Sequence, residues 1–294
     1  MTSVRLTVAI ATLNRPHGLA RCLDALLSGE CLPDEVIVVD QSEDENARGI
    51  VEQCGQRGVP IRYIRQARRG LSASRNEAFL HSRCPIVAAT DDDCVPDHRW
   101  VSAVKKTFSS EAAPDAMTGR ILPLGPEVPG FYAVSSRDSP VSRTFQRKVV
   151  PWLIGSGGNF AVKREWFDRI GGHDERLGAG SPGMAAEDAD LFYRLLEAGA
   201  RIRYEPGAVI YHERQSIDRR RASYWSYGYG AGAFCGLRVR CGDVFAARVF
   251  GGWLGWHIWH LILESVRLQW GKTGNVLLSL GGTARGFIYG LFVR

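Results

Sequence analysis

Three consecutive carboxylates, Asp91-Asp92-Asp93, close the apolar run Ile86-Val-Ala-Ala-Thr90. Side by side they repel one another unless positive charge sits among them. In an extended chain Asp91 and Asp93 point to the same side, so both can reach one cation. Oxygen donors suit a hard divalent ion, Mg²⁺ or Mn²⁺, which keeps waters and bridges phosphate oxygens. A second acidic pair, Glu187-Asp188, opens an amphipathic pattern in which Leu191, Leu195 and Leu196 share a face. A carboxylate there is favoured by the helix dipole, and it can also accept a proton. His212 ends the apolar Val209-Ile-Tyr and offers a borderline nitrogen donor that Mn²⁺ accepts. Each feature has a plainer reading: a solvated acidic turn, ordinary helix charge, a structural histidine.

The elements around these residues decide between the readings. Leu6–Thr12 and Glu35–Asp40 are apolar, β-branched runs, the pattern of strands buried on both faces. Between them Leu19, Leu23, Leu26 and Leu27 recur at helical spacing, and Pro33 stops the helix. A helix over 46–54, a strand over 61–64 and a helix opening near Ser72, its expected N-cap, complete the alternation. Strands and helices alternating at this pace predict βα units and a mostly parallel sheet. Ligands of such sheets bind beyond the carboxyl ends of the strands, where Thr12, Asn14, Asp40 and Asp91 to Asp93 all fall. Arg68, Arg69, Arg75 and Asn76 surround the start of the third helix, whose free N–H groups would favour a phosphate. Gly155-Ser-Gly-Gly-Asn159 precedes a short strand, and its glycines let backbone approach a ligand closely. The first strand is followed by Asn14-Arg-Pro-His-Gly, so the glycine fingerprint of a dinucleotide site is missing. P-loop and nucleophile-elbow motifs are missing as well.

Taken together these motifs resemble family 2 glycosyltransferases: a first strand ending in Thr12-Leu-Asn14-Arg15, a second ending in Asp40, and Gly70-Leu-Ser-Ala-Ser-Arg75-Asn76 before Asp91-Asp-Asp93. Gly155-Ser-Gly157-Gly158-Asn159, Phe167-Asp-Arg-Ile-Gly-Gly-His-Asp174 and Glu187-Asp188 follow in the same order, so the likeness covers about residues 4–215. The resemblance implies a GT-A fold and a nucleotide-sugar donor, with Asp91 and Asp93 as metal ligands and Asp93 the direct one. It implies that Asp40, Thr12, Asn14 and Arg15 bind nucleoside or phosphate. Gly70, Arg75, Asn76 and Asp92 complete the donor side, and Gly157, Gly158 and Asn159 take the sugar and acceptor. Asp188 would be the base of an inverting displacement, Glu187 would orient the acceptor, and His212 would add a metal or diphosphate contact. Two other classes compete: a metal-dependent nucleotidyl- or phosphoryl-transferase, and a non-catalytic nucleotide- or glycan-binding membrane protein.

The 294 residues are 45% hydrophobic and 23% charged, as in ordinary globular proteins. The net charge of +6 lies in the last quarter, where residues 213–294 hold 11 Lys and Arg against 4 Asp and Glu. That asymmetry predicts an anionic partner. Seven scattered cysteines without a Cys-x-x-Cys pair argue against zinc and disulfides and for a reducing compartment. Met1 to Arg5 leads into the apolar run Leu6–Thr12, which is too short for a signal peptide's core and lacks a small-residue cleavage site, so no secretory leader is expected. The division expected is a catalytic domain over 1–215 (nucleotide-binding half 1–100, acceptor half 101–215) and membrane-associating helices over 216–294. Arg219-Arg-Arg221 amid aromatics could suggest nucleic acid, but no RNA-binding motif accompanies it, and anionic lipid or the donor diphosphate is the simpler partner. Val249 to Leu263 is charge-free for 15 residues, short of a span, and His257, His260, Glu264 and Arg267 form one polar stripe beside Trp253, Trp256, Trp259 and Trp270. The location expected is the cytoplasmic face of a membrane, peripheral or C-terminally anchored, with a glycan or lipid-linked acceptor.

Overall fold

The computed structural model describes residues 4–293; Met1–Ser3, the start of the segment read for a leader, and Arg294 lie outside. In chain order the elements begin β1 (Leu6–Thr12), α1 (Pro16–Leu27), β2 (Glu35–Asp40), α2 (Asn46–Cys54), β3 (Ile61–Arg65), α3 (Leu71–His81) and β4 (Ile86–Asp91). Then come β5 (Cys94–Pro96), α4 (Trp100–Phe108), β6 (Ala116–Pro123), β7 (Phe131–Tyr132), β8 (Arg143–Phe145), β9 (Asn159–Lys163) and α5 (Arg164–Arg169). The chain closes with α6 (Glu187–Glu197), β10 (Ile202–His212), β11 (Gln215–Ser216), α7 (Ile217–Val239), α8 (Val244–Val266) and α9 (Trp270–Phe292).

The main sheet runs β3-β2-β1-β4-β9-β6-β10-β5, with β8 on β10. β1 to β4 are parallel, as their apolar runs require, and every residue of β2 is buried. Register then places three chain ends on one edge: Thr12 pairs with Asp40, and Ala11 with Asp91. β9 enters antiparallel between β4 and β6, pairing Asn159 with Thr90, which lays the glycine loop against Asp91. β10 pairs His212 with Cys94 of β5, bringing that histidine beside Asp93. Helices cover both faces, and Leu19, Cys22, Leu23 and Leu26 of α1 and Phe79, Phe160, Phe192 and Leu195 across the sheet are almost fully buried. Ser72 does not cap α3: Gly70 holds the N-cap position with φ +123°, and the buried Ser72 hydroxyl donates to Leu177 O at 2.6 Å.

The C-terminal quarter forms three helices docked on α6 through Leu177, Tyr193, Tyr229, Phe234 and Val249. α7 and α9 run side by side with almost no side chain between them. A Cβ built on Gly232 would lie 2.1 Å from Thr283 O, and one on Gly286 1.9 Å from Tyr229 O. Gly228, Gly232 and Gly236 thus mesh with Gly282, Gly286 and Gly290, two four-residue repeats that let backbones touch. α8 returns antiparallel to α9. No described helix is long and apolar enough to cross a membrane. Because Gly232 is packed and Gly251 on α8 faces open space, the same substitution should act oppositely at the two. Gly232→Ala should lose about 1–3 kcal/mol by overpacking, whereas Gly251→Ala should gain up to about 1 kcal/mol of helix propensity. Urea unfolding of both variants measures the difference.

Candidate active site

At the strand edge the three aspartates do not act alike. β4 ends at Asp91, and the chain turns at Asp92 and Asp93 rather than staying extended. Asp91 and Asp93 are therefore not related by the two-residue repeat of a strand, although both line the cavity. Asp91 swings to Arg75, whose Nη2 it accepts at 2.7 Å. Asp92 points inward, 4% exposed, and accepts from Thr12 Oγ1 at 2.8 Å and Arg15 Nη1 at 3.0 Å. Burial pushes its carboxyl up to about 6, against Arg15, which lowers it, and with help from Asp93. Asp93 accepts from the same Arg15 nitrogen at 2.6 Å, and its Oδ1 lies 3.6 Å from His212 Nε2.

Asp93, Cys94 and His212 present donor atoms within 4.8 Å of one another. His212 Nδ1 is 2.8 Å from Glu213 O, a contact in which Nδ1–H donates, and Nε2 faces Asp93. Burial, with Asp91 and Asp93 nearby, pushes the Cys94 thiol well up, which leaves it protonated and a poor ligand for a hard ion. One carboxylate and one imidazole fit Mn²⁺ or Mg²⁺ completed by phosphate oxygens and water. Asp91, expected as a ligand, is placed with Arg75 instead.

Arg75 is 3% exposed and joins four segments. Nη1 donates to Glu187 Oε1 at 3.0 Å; Nη2 donates to Asp91 and to Gly157 O at 2.9 Å. These contacts fix Arg75 to the floor of the site, where it also lines the cavity. Gly157 and Gly158 are glycines for closeness, not for positive φ: a Cβ on Gly157 would meet Arg75 Nη1 at 2.7 Å, and one on Gly158 would meet Asp91 Oδ2 at 2.9 Å. Gly157 N–H donates to Asp188 Oδ2 at 2.7 Å and aims that carboxylate. The chain enters α6 through Ala186 at φ +69°, a left-handed geometry that an alanine adopts only when its surroundings enforce it. Glu187, 8% exposed, is pushed up by burial and by Asp188, against Arg75.

These residues line one cavity of about 730 Å³: Thr12, Arg15, Gly70, Arg75, Asp91, Asp92, Asp93, Gly157, Gly158, Glu187, Asp188 and His212. Four expected contacts lie elsewhere. Asp40 is fully buried and accepts from Ser42 N and Tyr63 Oη, each at 2.8 Å; its neighbour Gln41 lines the cavity instead. Asn14 is exposed, with its N–H on Ser42 Oγ. Asn76 is engaged with His173 and Glu175, bracing the 173–186 loop. Asn159 is 1% exposed, accepting from Trp100 Nε1 and donating to Arg120 O and Ala208 O, so it locks strands together.

Part of the wall is formed by residues that the sequence did not single out. Gln41 holds the loop after β3, donating to Arg68 O and Gly70 O and accepting from Gly70 N. A polar residue directly after a strand-end aspartate is the signal that could have found it. Trp152, Tyr227 and Trp253 close the other side, with Trp152 and Trp253 edge to face at 4.7 Å. Trp253 is the tryptophan of the C-terminal stripe that turns inward.

A family model described as Glycosyl transferase family 2 matches residues 7–171. The chain belongs to this family. Its curated relatives include a chondroitin synthase of Pasteurella multocida, 24% identical over 246 residues, 72% of this chain and 25% of that one. A glucosyl-dolichyl phosphate glucuronosyltransferase of Haloferax volcanii is 26% identical over 221 residues, 71% of this chain and 69% of the relative. The chain thus spans a quarter of the first relative and about two thirds of the second. Among solved structures, the mannosyltransferase PcManGT of Pyrobaculum calidifontis, in complex with GDP-Man and Mn²⁺, superposes with a TM-score of 0.61 at 16% identity, covering 100% of this chain and 89% of that one. S. aureus TarS 1–349 gives 0.59 at 16% identity, covering 99% and 76%. These likenesses show the GT-A fold.

Glu187 sets a pH dependence. A carboxyl whose pKa is raised on folding keeps its proton longer in the folded state, so its contribution to stability is present at low pH and fades as pH rises. The loss should run from the ordinary glutamate range near pH 4.5 towards neutrality. Glu187→Gln keeps a neutral acceptor for Arg75 and cannot ionise. Its stability should fall less than wild type across that window in denaturant melts at a series of pH values.

Proposed function

We propose that this glycosyltransferase inverts: it moves a sugar from a nucleotide diphosphate, a UDP-sugar by preference, to an acceptor hydroxyl on a glycan or lipid-linked molecule. The observation that carries the reading is one cavity shared by an aimed carboxylate, Asp188, and by the Asp93–His212 pair, with Arg75 between the elements that hold them. Structural neighbours solved with GDP-Man and Mn²⁺ and with UDP support the donor class.

Asp188 takes the proton of the acceptor hydroxyl as that oxygen attacks the anomeric carbon, and the bond from that carbon to the diphosphate oxygen breaks. Gly157 N–H on Asp188 Oδ2 holds the base in its aim. Glu187 and Arg75 keep the floor dry and position the acceptor side. Thr12, Arg15 and Gly70 line the donor end, and Arg15 offsets the charge of Asp92 and Asp93. Asp93 and His212 would hold Mg²⁺ or Mn²⁺, which when bound neutralises charge gathering on the leaving diphosphate. A peripheral position on a membrane surface, held by the C-terminal quarter, belongs to the same reading.

Asp188→Asn should lower transfer by about 10²–10⁴-fold while UDP-sugar binding by calorimetry stays within twofold of wild type. Transfer at the wild-type rate in that variant removes the base assignment. EDTA should stop turnover, and Mn²⁺ should restore it. His212→Ala should raise the Mn²⁺ concentration needed for half-maximal rate by about 10-fold or more.

A further inference from the structure

α8 is inside out for a helix on a wetted surface. Between Gly251 and Val266 its polar side chains turn toward the protein: His257 is 5% exposed with Nε2 2.9 Å from Ser279 Oγ, Trp253 donates to Thr283 Oγ1 at 3.0 Å, and Glu264 is 8% exposed. Its outer side carries Trp256 (57% exposed), Ile258 (49%), Trp259 (62%), Ile262 (54%) and Val266 (76%). From Gly251 to Val266 every exposed residue is Gly, Trp, Ile or Val. At 1.5 Å per residue that apolar face is about 24 Å long. Isolated exposed hydrophobics are common, but a continuous face with its polar groups turned inward marks an interaction site.

Charge says what covers it. Arg267 and Lys272 are exposed at the α8–α9 turn, and the α7–α9 pairing, with Gly228 on Ser279 and Gly232 on Thr283, brings Arg219 and Arg221 to the same end. Arg240 and Arg248 stand exposed at the other end. Among the described residues from 217 onward the one exposed carboxylate is Asp218. Two copies joined through this face would set basic ends together with almost no acid to pair them. An anionic surface pairs both ends at once.

We infer that the outer face of α8 is the seat of the enzyme on an anionic lipid bilayer. The helix lies in the membrane plane, its tryptophans and isoleucines in the headgroup–acyl boundary and the terminal basic residues on lipid phosphates. The glycine-meshed pairing of α7 and α9 gives this helix a stiff backing. The inner side of the same helix supplies Trp253 to the cavity. One helix diameter, about 10 Å, therefore separates the bilayer from the acceptor side of the site. An acceptor with an apolar tail would enter the cavity from the bilayer side, past Trp253. The inference deepens the peripheral position proposed above, and the seat itself uses nothing of the transfer chemistry.

The test is co-sedimentation of the full chain with vesicles of phosphatidylglycerol and phosphatidylcholine in equal parts, and of phosphatidylcholine alone. Binding to the mixed vesicles should be at least tenfold tighter, should weaken with salt, and should shift tryptophan emission to the blue. Trp256→Asn with Trp259→Asn should reduce that binding more than tenfold without lowering the thermal midpoint, since both side chains are exposed when folded. Arg267→Glu with Lys272→Glu should abolish the preference for the anionic vesicles. Wild-type protein that ignores both vesicles overturns the seat, as does a tryptophan double variant that binds like wild type. A wild-type dimer in light scattering that the double variant turns to monomer also overturns it, in favour of a self-interface. Calorimetry with a UDP-sugar on the same preparations separates the two readings. Donor binding without vesicle binding sinks the seat alone; vesicle binding without donor binding sinks the transferase reading alone.

Discussion

A single buried guanidinium, that of Arg75, holds the candidate site together. It is surrounded by Asp91, Glu187 and Asp188, three carboxylates contributed by two distant stretches of chain, and all three raise its pKa against the pull of burial. Remove the cation and the acids must separate or take up protons. With it in place, the end of β4, the glycine loop before β9 and the first turn of α6 converge on one planar group. Arginine suits this because its fork offers several donors in fixed directions and stays charged in the interior. Breaking such a buried arrangement leaves uncompensated charge, which costs about 3–5 kcal/mol. The glycines follow from it: Gly157 and Gly158 are small because the guanidinium and Asp91 fill the space where a side chain would go.

The acids sort by neighbourhood more than by type. Asp92 is held by Thr12 and Arg15 below the surface, Asp91 by Arg75, and Asp93 faces the cavity with His212. Asp188 lies in the same cavity with only backbone donors on its carboxylate, from Gly157 and Ala189. Asp188 is free of ion pairs, while Asp93 stands beside an imidazole and Arg15. The division of labour is thus electrostatic, and it arises from which strand end each residue occupies.

Much of this was legible in the sequence. Apolar runs give β1, β2 and β4 their boundaries, and three-dimensional register does the rest, since parallel strands in register must end on one edge. The acidic start of α6 follows from its leucine spacing. What was not legible is long-range partnership. Nothing local in Asp40 reveals that Tyr63, one strand over, will claim its carboxylate, or that Trp100 and two carbonyls will use up Asn159. The Asp91–Asp93 spacing misleads because a turn replaces the extended chain on which the argument depends. The aromatic wall of Trp152, Tyr227 and Trp253 comes from segments far apart in sequence, and only the packing of α8 brings it together.

The helix that aims Asp188 also carries Asp190, fully buried on its far side. Arg194 and, from α7, Arg238 close on that carboxylate, while Tyr193 donates to Asp243 at the head of α8 at 2.6 Å. The C-terminal helices are thereby tied to the helix that carries Asp188. In folding terms the catalytic sheet and the C-terminal helices make one cooperative unit. Loosening the last quarter of the chain would therefore loosen the first turn of α6 and the sheet behind it together.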